Sequence, residues 1–209
     1  MGPARLKSST ILLLGAGFLY CLAAAAMVLL VRGQMRQQAL WEAQEKARAM
    51  LDRNLAIHAY FSHQLKPKVF AVVDRFMPPD YFEPAWMSST YAVRGIDEYF
   101  RQLVKSDYYY KECAINARSP LNEADPYERV FLERLRADPK LEEHSDIRWL
   151  QERPYFVSLR RGESMEASCL RCHSQPEVAP RQMVEKYGPL RSFNRQEGEL
   201  VSAVSIRVP

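Results

Sequence analysis

Residues 169–173 read Cys169-Leu170-Arg171-Cys172-His173, which places two thiols three positions apart and an imidazole directly after them. This is the spacing at which c-type haem is attached, because each cysteine bonds a vinyl carbon and the histidine lies under the iron as an axial ligand. The chain has 4 Cys and 4 His in 209 residues, so chance gives about 0.001 matches to this pattern. The pentapeptide therefore predicts one covalent haem c held by Cys169 and Cys172, with His173 as the proximal iron ligand.

Two other chemistries use closely spaced cysteines. A structural zinc site needs a second pair of ligands, and a redox-active dithiol needs its CxxC at the start of a helix that follows a strand. The sequence has no second CxxC and no HxxxH. Haem attachment is therefore the leading interpretation, with zinc and dithiol chemistry as the alternatives.

The composition narrows the classes of function. Lys and Arg total 29 against 25 Asp and Glu, which gives a net charge of +4, and the basic residues are scattered along the chain. We therefore expect no nucleic-acid partner. The sequence also has no paired-carboxylate motif, nucleophile elbow or phosphate-binding glycine loop, so we do not expect an enzyme.

Residues 11–31 contain no charge and, as a helix, would span about 30 Å, the thickness of a bilayer core. They predict a transmembrane anchor, preceded by a cytoplasmic tail over residues 1–10. The alternative is a cleaved signal peptide with its apolar region at 11–22, but the apolar run continues to Val31, which favours the anchor. Cys21 is then an inert thiol within the membrane.

The haem motif decides the orientation. Basic residues flank both ends of the apolar run, so the positive-inside bias nearly cancels. Covalent attachment to CxxCH takes place outside the cytoplasmic membrane in bacteria. We therefore expect a single-pass protein of the bacterial inner membrane, with its haem domain in the periplasm.

A long helix is predicted after the anchor. Residues 34–66 lack Gly and Pro and are rich in helix-forming residues, so they form a signalling or linker helix that ends at Pro67. Leu51, His58 and Leu65 lie seven apart and define one apolar face of this helix. The haem domain follows over residues 67–209.

The haem domain mixes short helices and strands. An Asp125 capping box with Pro126 and Glu128 starts one helix, which presents Val130 and Phe131 for packing. The predicted helices cover 95–104, 126–137 and 181–187, and the predicted strands cover 108–115, a hairpin over 146–161, and 200–208. No strand-helix-strand rhythm is present, which predicts an α+β fold with an antiparallel sheet.

Three blocks carry a resemblance to a known family: Ser168–Glu177 around the haem motif, Ser88-Ser89-Thr90-Tyr91, and the run Asn116–Asp125. Together they resemble the c-type haem-bearing, PAS-like sensor domains of bacteria, over about residues 45–209. The resemblance implies a PAS-like antiparallel sheet with helices on one face, and a domain that is exported and tied to the membrane.

The second axial position of the iron determines what such a haem does. A strong side-chain ligand makes a redox centre, whereas an open position admits a gas. His58 is the first candidate for a distal ligand because it lies on the apolar helix face, and His63 is the alternative. Met50 and Cys113 are further candidates, and an open or water-bound position is also kept.

The leading hypothesis for function is a membrane-anchored sensor of redox state or of a diatomic gas such as NO, CO or O₂, in which a change at the iron shifts helix 34–66. The alternatives are an anchored electron-transfer cytochrome with a redox partner protein, and a haem-bearing subunit of a membrane complex. The sequence leaves a homodimer open.

Overall fold

Four antiparallel strands form one sheet, in the order β1-β4-β3-β2. The computed structural model describes residues 8–105 and 107–209, so residues 1–7 of the predicted tail lie outside the described residues. The strands are β1 (Tyr109–Cys113), β2 (Glu143–Leu150), β3 (Arg153–Arg161) and β4 (Ala203–Val208). The helices are α1 (Ser8–Tyr60), α2 (Lys66–Phe76), α3 (Pro84–Met87), α4 (Ser89–Val104), α5 (Pro126–Ala137), α6 (Leu170–His173) and α7 (Arg181–Tyr187). This arrangement confirms the predicted α+β class.

The chain divides into two compact units, one that ends at Glu42 and one that comprises Ala43–Pro209. The described part of the first unit is helical, and residues 11–31 are exposed throughout. By length and composition alone, a helix of the described chain near the N-terminus could cross a membrane. A signal sequence meets the same criterion, so the anchor remains a prediction.

The sequence predicts that the long helix ends at Pro67, but in the structure the helix continues past this residue. A π-helical turn over Phe61–Leu65 links α1 to α2, and the N–H of Lys66 bonds the carbonyl of Phe61, five residues back. Pro67 then lies in the first turn of α2, where its missing N–H costs nothing. Helical structure therefore continues to Phe76.

The β2–β3 hairpin and the start of α5 follow local signals in the sequence. Gln151 and Glu152 join the strands with φ angles of 50° and 64°, which is typical of a tight hairpin turn. Asp125 accepts from the N–H of Glu128, and the Glu128 side chain accepts from the N–H of Asp125. Both predictions are confirmed.

Helices cover both faces of the sheet, which corrects the expectation of helices on one face. On one face, Met50 and Leu51 of α1 and Val93 of α4 pack against residues of β1 and β4. On the other, α5 packs through Phe131 and its neighbours onto β3. Val204, Ile206 and Val208 of β4 belong to the first cluster and Ala203 to the second, because successive side chains of a strand point to opposite faces.

The packing face predicted for α5 differs from the structure. Val130 is 56% exposed, whereas Glu128 is buried and pairs with Lys111 of β1 at 2.7 Å. On α4, the apolar residues Tyr99 and Leu103 are exposed, and the buried side carries Val93 and Asp97.

Candidate functional site

The CxxCH motif forms a tight helical turn on the wall of a cleft. A 3₁₀ turn over Ala167–Cys169 runs into α6, which brings the half-buried Cys169, Cys172 and His173 onto the lining of the same cleft. The cleft is open on one side and has a cavity volume of about 180 Å³. Its apolar lining includes Phe70, Phe82, Met87, Met165, Tyr187 and Val201.

The His173 ring is oriented by Ser192. Nδ1 of His173 lies 2.7 Å from the backbone carbonyl oxygen of Ser192 and 3.0 Å from the Ser192 hydroxyl. Nη2 of Arg118 also lies 3.3 Å from Nδ1, but the carbonyl oxygen is nearer and only accepts, so we assign the proton to Nδ1, which donates it. The lone pair of the ring is then on Nε2. In metal-binding histidines, a hydrogen bond from the other ring nitrogen to a group such as a backbone carbonyl orients the ring.

The same surroundings keep the His173 imidazole neutral. Burial lowers the pKa of His173 from 6.5 to about 4, and the charge of Arg118 lowers it further. At pH 7 the ring is therefore unprotonated on Nε2. This is the form of histidine that binds a metal ion.

Arg118 links the CxxCH turn, residues 167–173, to the rest of the domain through hydrogen bonds. Its Nη2 donates to the carbonyl of Cys172 at 2.6 Å and to that of Ser192 at 3.1 Å. Its guanidinium lies 4.5 Å from the ring centroid of Phe193 and also contacts the sulfur of Met183. The block 116–125 supports the family resemblance, but its pattern does not indicate a role for Arg118. An arginine inside a block that marks the family was the available signal.

The thiols do not fit the alternative chemistries well. Burial raises the pKa of Cys172 in spite of nearby cations, whereas a redox-active dithiol depends on a lowered thiol pKa. Within 8–105 and 107–209, no three His, Cys, Asp or Glu side chains are grouped so that they could hold a metal ion.

His58 lies behind the cleft wall and is bound on both ring nitrogens. Nε2 pairs with Glu112 at 3.2 Å and Nδ1 pairs with Glu163 at 3.1 Å. Burial alone would lower the pKa of His58, but the two carboxylates outweigh it and raise the pKa from 6.5 to about 10. Glu112 and Glu163 line the cleft. Iron coordination by His58 would require loss of a proton and of at least one of these contacts.

The other predicted distal candidates lie away from the cleft lining. His63 is exposed in the π-helical turn. Met50 is buried in the cluster formed by α1 and the sheet. Cys113 is fully buried, and its thiol donates to the carbonyl of Ala203 at 3.2 Å. The structure therefore brings together Cys169, Cys172 and His173, but not these three.

Lys66 is a cleft residue that sequence reasoning missed. Its side chain lines the cleft, is only 7% exposed and places Nζ 3.7 Å from Sγ of Cys169. The sequence pattern predicts Lys66 as the last residue of a helix. The signal available in the sequence was the spacing of Lys66 and Phe70, which lie four positions apart on a helix that continues through Pro67.

Comparisons with known proteins bear on the same segment. The profile of the Tll0287-like family matches residues 36–209. Among solved structures, the crystal structure of the cyanobacterial heme-protein Tll0287 aligns with a TM-score of 0.60 at 15% identity, and the alignment covers 80% of this chain and 95% of that one. At this identity the likeness shows the fold alone. No curated protein matches.

Proposed function

We propose, on the premise that this chain belongs to the Tll0287-like family, that it carries one covalent haem c in the cleft and acts as a sensor of redox state or of a diatomic gas. The similar cyanobacterial protein is described as a heme-protein, which supports haem as the cofactor. The observation that carries the proposal is the paired placement of the two thiols and of a neutral His173, fixed by Ser192, on one cleft wall.

The residues of the cleft fit the group. Cys169 and Cys172 would each form a thioether bond to a vinyl carbon, and Nε2 of His173 would hold the iron. When bound, haem supplies an iron that changes oxidation state and exchanges an axial ligand. Arg94 and Arg195 also line the cleft, and they would provide positive charge for the two propionates.

The location follows from the same chemistry. Thioether attachment in bacteria takes place outside the cytoplasm, so the haem domain is periplasmic and residues 11–31 anchor it in the inner membrane. The antiparallel sheet, with its first and last strands side by side and helices packed on it, supports a PAS-like sensor domain.

Sensing requires a path from the cleft to another element, and His58 supplies one. Glu112 and Glu163 line the cleft, and both pair with His58 of α1. With haem bound, these carboxylates would respond to a change in the charge of its iron, and the strength with which they hold α1 would change. Local charge changes of this kind drive many protein switches when they bias one element between two states.

The test of haem binding uses the full chain, expressed with a bacterial c-type maturation system. The wild type should show haem staining on a denaturing gel, and its reduced-minus-oxidised spectrum should change with CO or NO if the iron opens to gas. Cys169→Ser/Cys172→Ser should lose the stain, whereas Cys21→Ser should keep it. Stain retained by the double variant would contradict covalent attachment at this motif.

A further inference from the structure

We propose that Lys66 is the distal ligand of the iron, opposite His173. This inference rests on the proposed function, because it needs haem bound at the CxxCH turn. It assigns to α2 a role that neither the family match nor the sequence analysis provides.

The Lys66 side chain lies in the cleft wall without a matching charge. The side chain is 7% exposed, and across 8–105 and 107–209 no carboxylate forms an ion pair with it. Its polar contact is Sγ of Cys169, at 3.7 Å. A buried ammonium without a counter-ion is costly, so a buried amine that faces a cofactor cleft is expected to serve a bound group.

The start of α2 is held directly against the haem turn. Arg171, inside the CxxCH motif, pairs with Asp74 at 2.6 Å and lies 4.8 Å from the ring centroid of Phe70. Phe70 and Lys66 are four residues apart on α2 and both line the cleft, so they share one face. These contacts fix the amine beside the position that the haem would occupy.

The haem itself has two groups that an amine could bind, the iron and the propionates. In haem, the vinyl groups and the propionates lie on opposite edges of the macrocycle. Since Cys169 bonds a vinyl carbon and the amine lies 3.7 Å from its sulfur, Lys66 is placed at the vinyl edge and away from the propionates. With haem bound, the proposal requires the four-carbon side chain to extend from that edge over the ring to the iron.

The methionines of the cleft are less suited to this role. The sulfur of Met87 accepts the N–H of Glu83 at 3.3 Å. The sulfur of Met183 contacts the guanidinium of Arg118, and Met183 packs beside Cys172. Met165 lies on the same loop as the haem turn. Lys66 instead comes from a separate helix that faces the turn.

The ligation step is a simple exchange. The Lys66 ammonium releases one proton to solvent, and the nitrogen lone pair forms a bond to the iron. No electron is transferred, and no further reactant is needed.

The test compares ferric absorption and electron paramagnetic resonance spectra of the full-length haem-loaded protein and its variants. The wild type should be low-spin and six-coordinate. Lys66→Ala and Lys66→Arg should both lose the low-spin signal, because arginine keeps the charge but does not ligate, and added ethylamine should restore the signal in Lys66→Ala. The exposed neighbour Lys68 provides the control, since Lys68→Ala should remain low-spin.

Several outcomes would overturn the inference. A high-spin wild type, or an unchanged low-spin spectrum in both Lys66 variants, would exclude Lys66 as the ligand. A low-spin spectrum in Lys66→Arg together with its loss in Lys66→Ala would show a role for charge alone. All these outcomes are measured on protein that stains for covalent haem, so they do not contradict the proposed function. Wild-type protein that does not stain would overturn both the proposed function and the assignment of Lys66.

Discussion

Nδ1 of His173 and the backbone carbonyl of Ser192 lie 2.7 Å apart, although 19 positions separate the two residues in the chain. The contact turns a motif that specifies only spacing into a site with a defined tautomer and ring orientation. Arg118 donates to the same Ser192 carbonyl and to that of Cys172, so one half-buried cation joins both ends of the segment.

Replacing Arg118 should loosen this segment. In Arg118→Ala the half-buried carbonyl of Cys172 loses its charged donor, and a hydrogen bond to a charged group is worth about 1.5–3 kcal/mol. We expect a lower free energy of unfolding by about that amount in urea titrations. Arg118→Lys should recover only part of it, because an ammonium cannot reproduce the planar fork that reaches two carbonyls.

Arg181→Ala is the matched control for this measurement. Arg181 is exposed and pairs with Glu185 one turn along α7 at 3.0 Å, an arrangement worth about 0.3–0.5 kcal/mol. Equal losses in the Arg118 and Arg181 variants would contradict the fastening role of Arg118.

The pair of His58 and Glu112 should make stability depend on pH. The folded-state pKa of His58 is raised from 6.5 to about 10, so its contribution is complete below pH 6.5 and is lost as the pH rises towards 10. We expect the difference in unfolding free energy between the wild type and Glu112→Gln to be largest near pH 6.5 and to shrink towards pH 10. Urea titrations across this range measure it.

The pKa of Glu112 is lowered from 4.5 because the contact with His58 outweighs burial. Its contribution is therefore present above pH 4.5 and is lost as the pH falls further, so the difference should also shrink in acid. Glu98→Gln, on an exposed carboxylate that pairs with Arg101, should show no such dependence. A difference between the wild type and Glu112→Gln that stays constant from pH 6.5 to 10 would contradict the pairing.

Local signals in the sequence predicted the parts of the fold that depend on neighbours in the chain. The α5 start follows from Asp125, Pro126 and Glu128, which interact within one turn. The hairpin over 146–161 and the helix Arg181–Tyr187 were predicted for the same kind of reason, although the turn lies at 151–152 and not around Arg153 and Pro154. The end of the long helix was not predicted correctly. Whether Pro67 breaks the helix depends on the π-helical turn before it, and no local sequence pattern indicates that turn.

The distal side of the cleft depends on contacts between distant residues. The spacing of Leu51 and His58 predicted that His58 is buried, and it is 2% exposed. The partners of His58 come from β1 and from the segment after β3, which only the folded sheet brings together. Lys66 was missed because a lysine beside a predicted helix end is expected in solvent.

The membrane prediction concerns residues 11–31. An anchor of uncharged residues is held by the hydrophobic effect, so we expect full-length protein to stay with membranes through washing at 1 M salt, where the screening length falls to about 3 Å. Fractionation followed by N-terminal sequencing measures this. A soluble form that begins near Met27 would establish a cleaved signal sequence instead.

The last prediction separates a sensor from an electron carrier. A sensor must rearrange when its iron is reduced or binds a gas, because a ligand moves an equilibrium only through different contacts in the two states. An electron carrier benefits from a fixed coordination sphere. The segment 45–66 contains the two residues through which the cleft would act on the helix, since His58 pairs with two carboxylates of the cleft wall and Lys66 lies beside Cys169.

We therefore expect reduction or NO binding to change amide hydrogen-exchange protection in residues 45–66. Helix α5, which packs through Phe131 and Leu135 on the opposite face of the sheet, is the internal control and should exchange at the same rate in every state. If residues 45–66 exchange identically in the ferric, ferrous and NO-bound forms while the protein passes electrons rapidly to a soluble cytochrome, the sensor proposal is wrong. The helix would then serve to hold the haem in place, and electron transfer would be the function.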